Sequence, residues 1–382
     1  MNEDLTFDVV IAGGGIVGCA CALACSRRGL QVALVERDVL GSGATASGMG
    51  HIVVMDDSDA QFALTQASQQ LWRQFALPDV VEYRQTGTLW IAADGEEMEG
   101  AETKYRWYCD RGVAAELLTA QQVQEREPNL RPGLAGGLLI PEDGVVYSPN
   151  AAVEFARLAV QLGARIFLGK SAKSMGQHRL QLDDGTELSA QWLVNALGAD
   201  APAVSTGLPI RKRKGHLVIT DRYPGFVQHQ LVELGYLKSA HSSSSDSVAF
   251  NIQPRSTGQL LIGSSRQYGN DDVAVDQKIL SEMLARATAY MPGIGQLQAI
   301  RAWTGFRAAT PDKLPLIGPS PEDDSLLLAT GHEGLGITTS LGTAELIASA
   351  VTGEPFLIDP RPYLPSRFQE AANISHSSKE TE

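Results

Sequence analysis

The sequence has no apolar run of the roughly 18 residues that a membrane-spanning helix needs. It also lacks a basic segment followed by an apolar one after Met1, which is the pattern of a secretory signal. Cysteine is scarce: there are four residues, Cys19, Cys21, Cys25 and Cys109, with no C-x-x-C pair. We therefore expect a cytoplasmic protein whose helical cysteines are buried as small apolar residues and form no disulfides.

Positive charge is in deficit as well. The chain has 31 Lys and Arg against 44 Asp and Glu, which gives a formal net charge of -13 at pH 7. This balance disfavours nucleic acid or an anionic membrane as the main partner, so a small anionic substrate would need a local basic group. The composition, 43% apolar and 20% charged, is typical of globular proteins, and 382 residues allow two domains.

A glycine-rich turn near the N-terminus is the most informative feature present. Residues 9–12 form a short apolar run, which predicts a strand buried on both faces. Gly13, Gly15 and Gly18 then give G-x-G-x-x-G. In this motif the glycines allow a tight turn, a close approach of backbone amides to a pyrophosphate, and close packing of the following helix on the strand.

The residues after the turn complete a dinucleotide-binding pattern. Residues 16–28 predict a helix and 32–35 a second strand, which ends at Glu36. An acid at this place holds a ribose hydroxyl. Glu36 argues against a cofactor with a 2′-phosphate, although Arg37 beside it leaves NADP open.

A run of small and hydroxyl-bearing residues, 41–51, follows the second strand. Such a run cannot form a core by itself. Its position after the acidic strand end favours a second ligand-contacting loop, and the alternative is a flexible loop without a ligand.

Periodicity and turn residues predict alternating helices and strands along the rest of the chain. The predicted helices are 60–75, 96–111, 119–127, 150–162, 276–290 and 339–352. The predicted strands are 80–92, a pair within 136–148 broken at 141–144, 164–168, 179–182, 188–195, 210–220, 247–253, 259–264, 300–308 and 326–330. Residues 242–245 predict a polar loop tip, and 366–382 a disordered tail.

Four consecutive basic residues, 211–214, open one of the predicted strands. Charge runs of this kind usually form a solvated face. In an acidic protein, the alternative is a surface for an electron-transfer partner.

Four features together resemble the D-amino-acid-oxidase-like (DAO) family of FAD-dependent oxidoreductases over about residues 6–365. They are the glycine turn, the loop 41–51, Asn195-Ala196-Leu197-Gly198 at a strand end, and Gly331-His332-Glu333-Gly334-Leu335-Gly336. The resemblance implies an α/β fold with a discontinuous Rossmann-like FAD-binding domain and an α+β substrate domain with a mostly antiparallel sheet. The implied limits are 1–80, 149–209 and 320–365 for the FAD-binding domain, and 81–148 and 210–319 for the substrate domain.

The resemblance also implies which residues contact FAD. The glycine turn and helix start would bind the pyrophosphate through Gly13, Gly15, Ile16, Val17 and Gly18, with Glu36 and Arg37 at the adenosine ribose. The loop would wrap the ribityl chain and approach the ring through Ser42, Ala44, Thr45, Ser47, Gly48, Met49, Gly50 and His51. Further contacts would come from Ala172 at the adenine, from Gly198, and, by the pyrimidine edge, from Gly334, Leu335, Gly336, Ile337 and Thr338. Several oxidases of this family attach FAD through a cysteine near the last of these segments; no cysteine follows Cys109, so we expect noncovalent FAD.

Residues 305–318 resemble the family's R-x-x-T-x-D-x-x-P-x-I-G segment. The resemblance places Arg307 where the substrate carboxylate is bound, a task that suits a planar fork of donors. The alternative is a surface arginine at a strand end. Asp312 is expected to fix the turn.

Amine oxidation in such enzymes is hydride transfer from the substrate α-carbon to flavin N5, which requires a neutral amine and a bound carboxylate. His51 is the titratable group that the sequence places near the flavin; it could accept a proton or tune the ring, or it could only bond to the loop backbone. Candidates for the pocket wall, each of which could also be ordinary core, are Tyr236, Asn251, Tyr268, Trp303 and His216.

The segments 48–51 and 331–340 are most similar to bacterial dehydrogenase members that act on secondary amines and D-imino acids. D-hydroxyproline dehydrogenase-type flavoprotein subunits, which work in multi-subunit complexes, are the nearest resemblance. It implies a dehydrogenase of a D-hydroxyproline-like or D-proline-like substrate that passes electrons to a partner subunit. The alternatives are a glycine, sarcosine or D-amino-acid oxidase that uses oxygen, an opine oxidase-type subunit, or a flavin-binding subunit that oxidises nothing itself.

Overall fold

The computed structural model describes residues 5–235 and 246–369. Tyr236, the loop tip 242–245 and the tail from 370 onward lie outside the described residues. Within the described ranges, no helix is both long enough and apolar enough to cross a membrane.

The described residues form seven helices and eighteen strands, with short 3-10 helices between them. The helices are α1 (Ile16–Arg27), α2 (Asp59–Gln74), α3 (Gly95–Cys109), α4 (Ala120–Arg126), α5 (Ser148–Gln161), α6 (Gln277–Tyr290) and α7 (Gly336–Thr352). The strands of the first half are β1 (Thr6–Ala12), β2 (Val32–Glu36), β3 (His51–Ile52), β4 (Thr88–Ala92), β5 (Glu116–Thr119), β6 (Gly136–Ile140), β7 (Gly144–Val145), β8 (Arg165–Leu168) and β9 (Ala172–Gly176). Those of the second half are β10 (Arg179–Leu182), β11 (Glu187–Asn195), β12 (Arg211–Thr220), β13 (Gln230–Glu233), β14 (Ser247–Pro254), β15 (Leu260–Arg266), β16 (Ala299–Ala309), β17 (Leu316–Pro319) and β18 (Leu326–Thr330).

The first sheet contains the glycine turn. Its strand order is β17-β18-β11-β1-β2-β8, with β10 also pairing β11 and β9 pairing β10. The pairs around β1 are parallel, as in β1 with β2 and β11. Helix α1 packs against α5 and α7 on one face, and Met175, Leu180 and Leu182 pack on the other, so the apolar residues of β1 and β2 are buried on both sides. The carboxyl ends of β1, β2 and β11 therefore meet at one edge, where open α/β sheets bind ligands.

The second sheet has the order β16-β12-β15-β14-β13-β4-β6-β5 and is antiparallel except for β13 with β4. Helix α6 covers one face of it, where Tyr290 stacks on Phe250 at 4.7 Å between ring centroids. The other face looks toward the segment that follows β3. Together the two sheets confirm the predicted α/β fold class; the domain limits stay a prediction.

Strand β7 does not pair with β6, contrary to the strand pair predicted within 136–148. β6 pairs with β4 and β5, whereas Val145 of β7 lies opposite His51 of β3. The turn between β6 and β7 therefore connects the second sheet to the loop 41–51, which is named the cofactor loop after its predicted role. The chain leaves the second sheet after β6 because the partners of β6 and β7 belong to different sheets.

Three further predictions differ from the structure. Residues 80 and 81 of the predicted strand 80–92 belong to a short 3-10 helix, Asp79–Val81. Strand β17, assigned from the sequence to the substrate domain, pairs with β18 in the first sheet. Residues 366–369, assigned to the disordered tail, are held in place by Arg367, whose Nε donates to Asp312 Oδ2 at 2.7 Å.

The basic run 211–214 is not a solvated face throughout. Arg211 is exposed, but Arg213 and Lys214 are 5% and 1% exposed. Arg213 forms an ion pair with Glu333 and donates from Nη1 to the Tyr268 hydroxyl at 3.0 Å. The run lies in a strand inside the sheet, where the position in the fold decides the burial of each side chain.

Candidate active site

The glycine turn is as tight as its motif requires. Gly13 has a φ of 110°, and a Cβ on it would lie 2.5 Å from the Ala196 carbonyl oxygen. A Cβ on Gly18 would lie 1.9 Å from the Gly13 carbonyl oxygen. Because nothing larger than glycine fits, α1 begins close to the ends of β1 and β11, with its amino end directed at their edge.

The acid at the end of β2 is fixed beside this turn. Glu36 is buried and accepts from the Gly14 amide at 2.6 Å through Oε2 and from the Asp38 amide at 2.8 Å through Oε1. Arg37 is exposed, and its guanidinium lies 3.1 Å from Asp200. The carboxylate is thus held where the ribose contact is predicted, and the charge of Arg37 is already paired.

The loop 41–51 is bound to the start of α1. Thr45 is buried, and its Oγ1 accepts from the Ile16 amide at 3.0 Å. Ser148 Oγ donates to the Thr45 carbonyl oxygen at 2.9 Å. Ser42 is half-buried and Ala44 is exposed at the outer rim of the loop. The cofactor contacts of these residues stay predictions, and the loop has a defined path that suits them.

The end of the loop is packed against the residue after β7 and against the first turn of α7. Gly50 has a φ of 89°, and a Cβ there would lie 1.9 Å from the Val146 carbonyl oxygen. A Cβ on Gly48 would lie 2.7 Å from Ile337 Cδ1. Thr338 Oγ1 donates to the His51 carbonyl oxygen at 2.7 Å, which ties the first turn of α7 to β3.

His51 Nε2 is buried and has no hydrogen-bond partner among the described residues. Burial, together with the nearby positive charge of Arg307, lowers the pKa of His51 from 6.5 to about 4. The ring is therefore neutral at pH 7, with a polar atom directed into the protein interior. Such an atom calls for a partner, which a bound group or a water would supply.

The starts of α1 and α7 face the same edge of the first sheet. A Cβ on Gly336 would lie 3.8 Å from Val17 Cγ2, and Gly334 borders Arg307, with a Cβ position 3.6 Å from Arg307 Nε. Amino ends of helices favour negative charge. Gly198, with a φ of 58°, begins a short 3-10 helix near this edge, and Ala172 begins β9. The glycine cradle, the fixed acid and the unpartnered His51 nitrogen fit FAD, which would supply a hydride acceptor.

Arg307 lies on β16 opposite Arg213, where the two sheets approach each other. Its Nη1 donates to the Ser265 carbonyl oxygen at 2.9 Å. A Cβ on Gly215 would lie 2.8 Å from Nη1, so the space of the guanidinium exists because residue 215 has no side chain. Arg307 is partly buried rather than a surface arginine. Asp312 fixes the next turn, because its Oδ1 accepts from the Leu314 amide at 3.1 Å.

A cavity of about 280 Å³ lies between the cofactor loop and the second sheet. Trp303, a candidate for the pocket wall, lines this cavity, and its Nε1 is buried without a partner in the described parts of the chain. His51, Asn251 and Arg307 do not line it. The lining residues are Ala46, Ser47, Gly48, Met49, Val146, Tyr147, Ser148, Pro149, Ile219, Arg255, Leu261, Arg301, Trp303 and Thr304.

Two arginines at this cavity were missed from the sequence. Arg301 lies on β16 at even spacing from Trp303 and Arg307, and this period of two could have indicated a shared face. Arg255 follows β14 and gives no signal in the sequence, because its role depends on its partner. It donates to Glu82 at 3.0 Å, and its guanidinium lies 4.4 Å from the centroid of the Tyr147 ring.

The remaining candidates for the pocket wall have other contacts. His216 Nε2 accepts from the Asp276 amide at 3.0 Å, at the start of α6, and the ring is buried on the α6 side of the sheet. Tyr268 bonds to Arg213. Asn251 lies opposite Gly263, on the inner face of the second sheet, which is the face that Met49 contacts. Its Oδ1 is buried without a partner in the described residues. The contacts of His216 and Tyr268 are therefore structural ones.

The buried ring of His332, in the last glycine-rich segment, should make the stability of the folded protein depend on pH. Burial lowers its pKa from 6.5 to about 4, so between these values the unfolded chain binds a proton that the folded chain does not. The folded state therefore loses stability as the pH falls. Glutamine can keep the bond to Thr343 Oγ1, now 2.9 Å from Nε2. His332→Gln should reduce the slope of unfolding free energy against pH by about 1.4 kcal/mol per pH unit, measured by urea denaturation. An unchanged slope in this range would contradict the assignment.

Comparisons with known proteins agree with this geometry. The family model described as FAD dependent oxidoreductase (DAO) matches residues 8–350. The chain is 28% identical to a glycine oxidase of Geobacillus kaustophilus over 376 residues, covering 94% of this chain and 96% of that protein. It is 27% identical to the hydrogen cyanide synthase subunit HcnC of Pseudomonas aeruginosa, covering 95% and 97%, and 24% identical to an opine oxidase subunit of Rhizobium meliloti, covering 90% and 93%.

A solved structure extends the match to three dimensions. The crystal structure of a glycine oxidase from Geobacillus kaustophilus superimposes with a TM-score of 0.85 at 27% identity, covering 95% of this chain and 99% of that one. The chain belongs to the DAO family of FAD-dependent oxidoreductases, which act on the CH-NH or CH-NH2 groups of amino acids.

Proposed function

We propose that this chain is the flavoprotein subunit of a dehydrogenase that oxidises a D-amino or D-imino acid with a secondary amine, of the D-proline or D-hydroxyproline type, to the imine. The observation that carries the proposal is the position of Arg307. Its guanidinium borders Gly334, just before α7, and its strand β16 also carries Trp303 and Arg301, which line the cavity. A carboxylate bound by the fork of Arg307 would place the α-carbon between the cavity and the cofactor segments.

The walls of the cavity favour a ring over a bare glycine. Met49, Ile219, Leu261 and Trp303 present apolar and aromatic surface to a space of about 280 Å³. The ring of proline would bury its methylene groups against these walls, at about 0.8 kcal/mol for each group. Glycine would leave the same walls without contact, so the binding energy favours the larger substrate.

The residues of the chain have distinct tasks in this scheme. Bound FAD would supply the acceptor for the hydride. Arg307 orients the substrate by its carboxylate, and Trp303 with Met49 keeps water away from the reacting carbon. His51 is neutral at pH 7, and we expect its buried Nε2, which no described residue bonds, to bond to the cofactor or to a water.

The names of two relatives support an electron-accepting partner. The hydrogen cyanide synthase protein HcnC and the opine oxidase protein of Rhizobium meliloti are both described as subunits, and each aligns over nearly its whole length. A flavoprotein of this size that passes electrons to another subunit would not need oxygen at its flavin.

The alternative is an oxidase of glycine, sarcosine or a D-amino acid that uses oxygen directly. The glycine oxidase of Geobacillus kaustophilus supports it through 28% identity and the similarity of fold. The two functions differ in their fastest substrate and in the production of peroxide.

Anaerobic reduction of the bound flavin tests the proposal. The flavin absorbance should bleach about 10-fold or more faster with D-proline or D-hydroxyproline than with glycine, because a pocket that buries a ring discriminates by this order. The panel includes L-proline, L-hydroxyproline, sarcosine and opines. In air, the reduced protein should form little peroxide. Fastest bleaching by glycine with stoichiometric peroxide would favour the oxidase, and bleaching by an opine would favour an opine oxidase-type subunit.

A further inference from the structure

A carboxylic acid is buried behind the cofactor loop. Asp143 lies in the turn between β6 and β7 and is 1% exposed. Its Oδ1 accepts from the Val54 amide at 3.1 Å and from Gln69 Nε2 at 2.9 Å, and its carboxyl also bonds to the Thr88 side chain. Because Val54 belongs to the same short segment as His51, the carboxyl stands directly behind the residues assigned to the flavin ring.

A row of side chains crosses the inner face of the second sheet from the cavity to this acid. Leu261 lines the cavity, and Gln253 of β14 lies opposite it. The register of β13 with β14 sets Gln230 beside Gln253, and Gln230 lies opposite Thr88, to which its Nε2 donates at 3.1 Å. Cross-strand neighbours on one face are about 5 Å apart, so the row runs without interruption from the cavity wall to Asp143.

Most polar atoms of the row have no partner within the described ranges. Gln253 is 0% exposed, and neither its Nε2 nor its Oε1 is bonded. Gln230 Oε1 and, two residues from Gln253 along β14, Asn251 Oδ1 are buried and unbonded as well. An unpaired buried polar group costs about 1–3 kcal/mol, and nearly all such groups in folded proteins find a partner. Four of them side by side call for ordered water.

We propose that this water forms a proton path and that Asp143 receives the proton that the substrate ammonium loses before oxidation. The N–H bond of the ammonium breaks, the proton passes along the waters, and an O–H bond forms on the carboxylate. The amine keeps its lone pair and becomes neutral, and no electron is transferred in the step. The amides of Gln253 and Gln230 orient the waters. The inference rests on amine oxidation and does not depend on which amino acid is the substrate.

The electrostatics of the acid suit this task. Burial raises the pKa of Asp143 from 3.8 to about 7, against the lowering effects of Thr88, the Val54 amide, Gln69 and Lys104. A proton acceptor works best when its pKa lies near the operating pH. Lys104 is itself paired with Asp56, so its charge is only partly available to Asp143. Tyr83 and Tyr108 also interact electrostatically with Asp143. Arg73 and Glu142 act in turn on Tyr83, and Asp56 and Asp57 act on Tyr108.

Asp143→Asn in the FAD-loaded protein tests the path. We expect flavin reduction at saturating substrate to be slower by about 100-fold at neutral pH, and its pH profile to lose the step near pH 7. Infrared titration of the oxidised protein, without substrate, should show a carboxyl band that titrates near neutrality in the parent and is missing in Asp143→Asn. Glu142→Gln, which changes the adjacent carboxylate paired with Arg73, should match the parent in rate and profile.

The path can also be cut while the acid remains. Gln253→Leu should slow reduction and leave the infrared band in place, and it decides the question if Asp143→Asn fails to fold. The proposal is overturned if both variants have the rates and the pH profile of the parent. If Asp143→Asn does not fold, the same result in Gln253→Leu alone overturns it. Any amine that reduces the flavin serves in the kinetic test, and the infrared test needs none. A wrong substrate assignment is therefore distinguishable from a wrong role of Asp143.

Discussion

Arg307→Ala should lower kcat/KM for the amino-acid substrate by about 100-fold or more. Removing one partner of a hydrogen-bonded charge pair costs roughly 2–5 kcal/mol, because the carboxylate is left desolvated without its fork of donors. The rate of flavin reduction should fall together with the affinity, since Arg307 also orients the α-carbon. Anaerobic stopped-flow measurements over a range of substrate concentrations separate the two effects.

Two further variants make the Arg307 result specific. Arg307→Lys keeps the charge but loses the planar fork, so it should recover part of the activity. Arg211→Ala removes an exposed arginine two residues from Arg213 on β12 and should behave as the parent. If Arg307→Ala folded and turned over the substrate like the parent, Arg307 would not be the residue that binds the carboxylate. Arg301 and Arg255 would then remain as the candidate cations at the cavity.

Gly18→Ala should yield a protein that is severely destabilised and free of flavin. A Cβ at this position would lie 1.9 Å from the Gly13 carbonyl oxygen, and both are backbone positions that cannot rotate away. The added methyl group would move α1 away from the end of β1 or open the turn. Such overpacking lowers the free energy of unfolding by about 3 kcal/mol or more. The visible spectrum of the purified protein and its thermal unfolding with and without added FAD measure the two losses.

Gly100→Ala is the matched control for this change. Gly100 lies in α3, is exposed, and has no atom within 4 Å of the position that its Cβ would take. Alanine there should stabilise the protein by about 0.5–1 kcal/mol and leave the flavin bound, since alanine favours the helix. If Gly18→Ala folded and bound FAD like the parent, the turn would not be the pyrophosphate site.

The glycine turn was predictable because all of its determinants are local. Apolar residues, glycines and Glu36 follow one another within a single β-α-β unit, and each has one physical reason to be there. The pairing of β7 was not predictable in this way. Its two residues pair with His51 and Ile52 far back in the chain, and no nearby pattern encodes that partner.

Which charged side chains are buried was also not predictable from the sequence. Arg213 is one member of a basic run in the sequence, yet it lies inside the sheet because Glu333 arrives from the start of α7 to pair with it. Asp143 belongs to a Pro-Glu-Asp-Gly segment that is typical of a turn, and only the fold shows the covering segment with Val54. In both cases the decisive partner is brought by tertiary structure.

The two-residue ladder between β3 and β7 has a consequence for how the protein is loaded. One strand of the ladder adjoins the loop 41–51, which is predicted to contact FAD, and the other strand follows β6 of the second sheet. A shift on either side is therefore transmitted to the other. By reciprocity, any change that a bound substrate makes in the affinity for FAD is matched by an equal change that FAD makes in the affinity for the substrate.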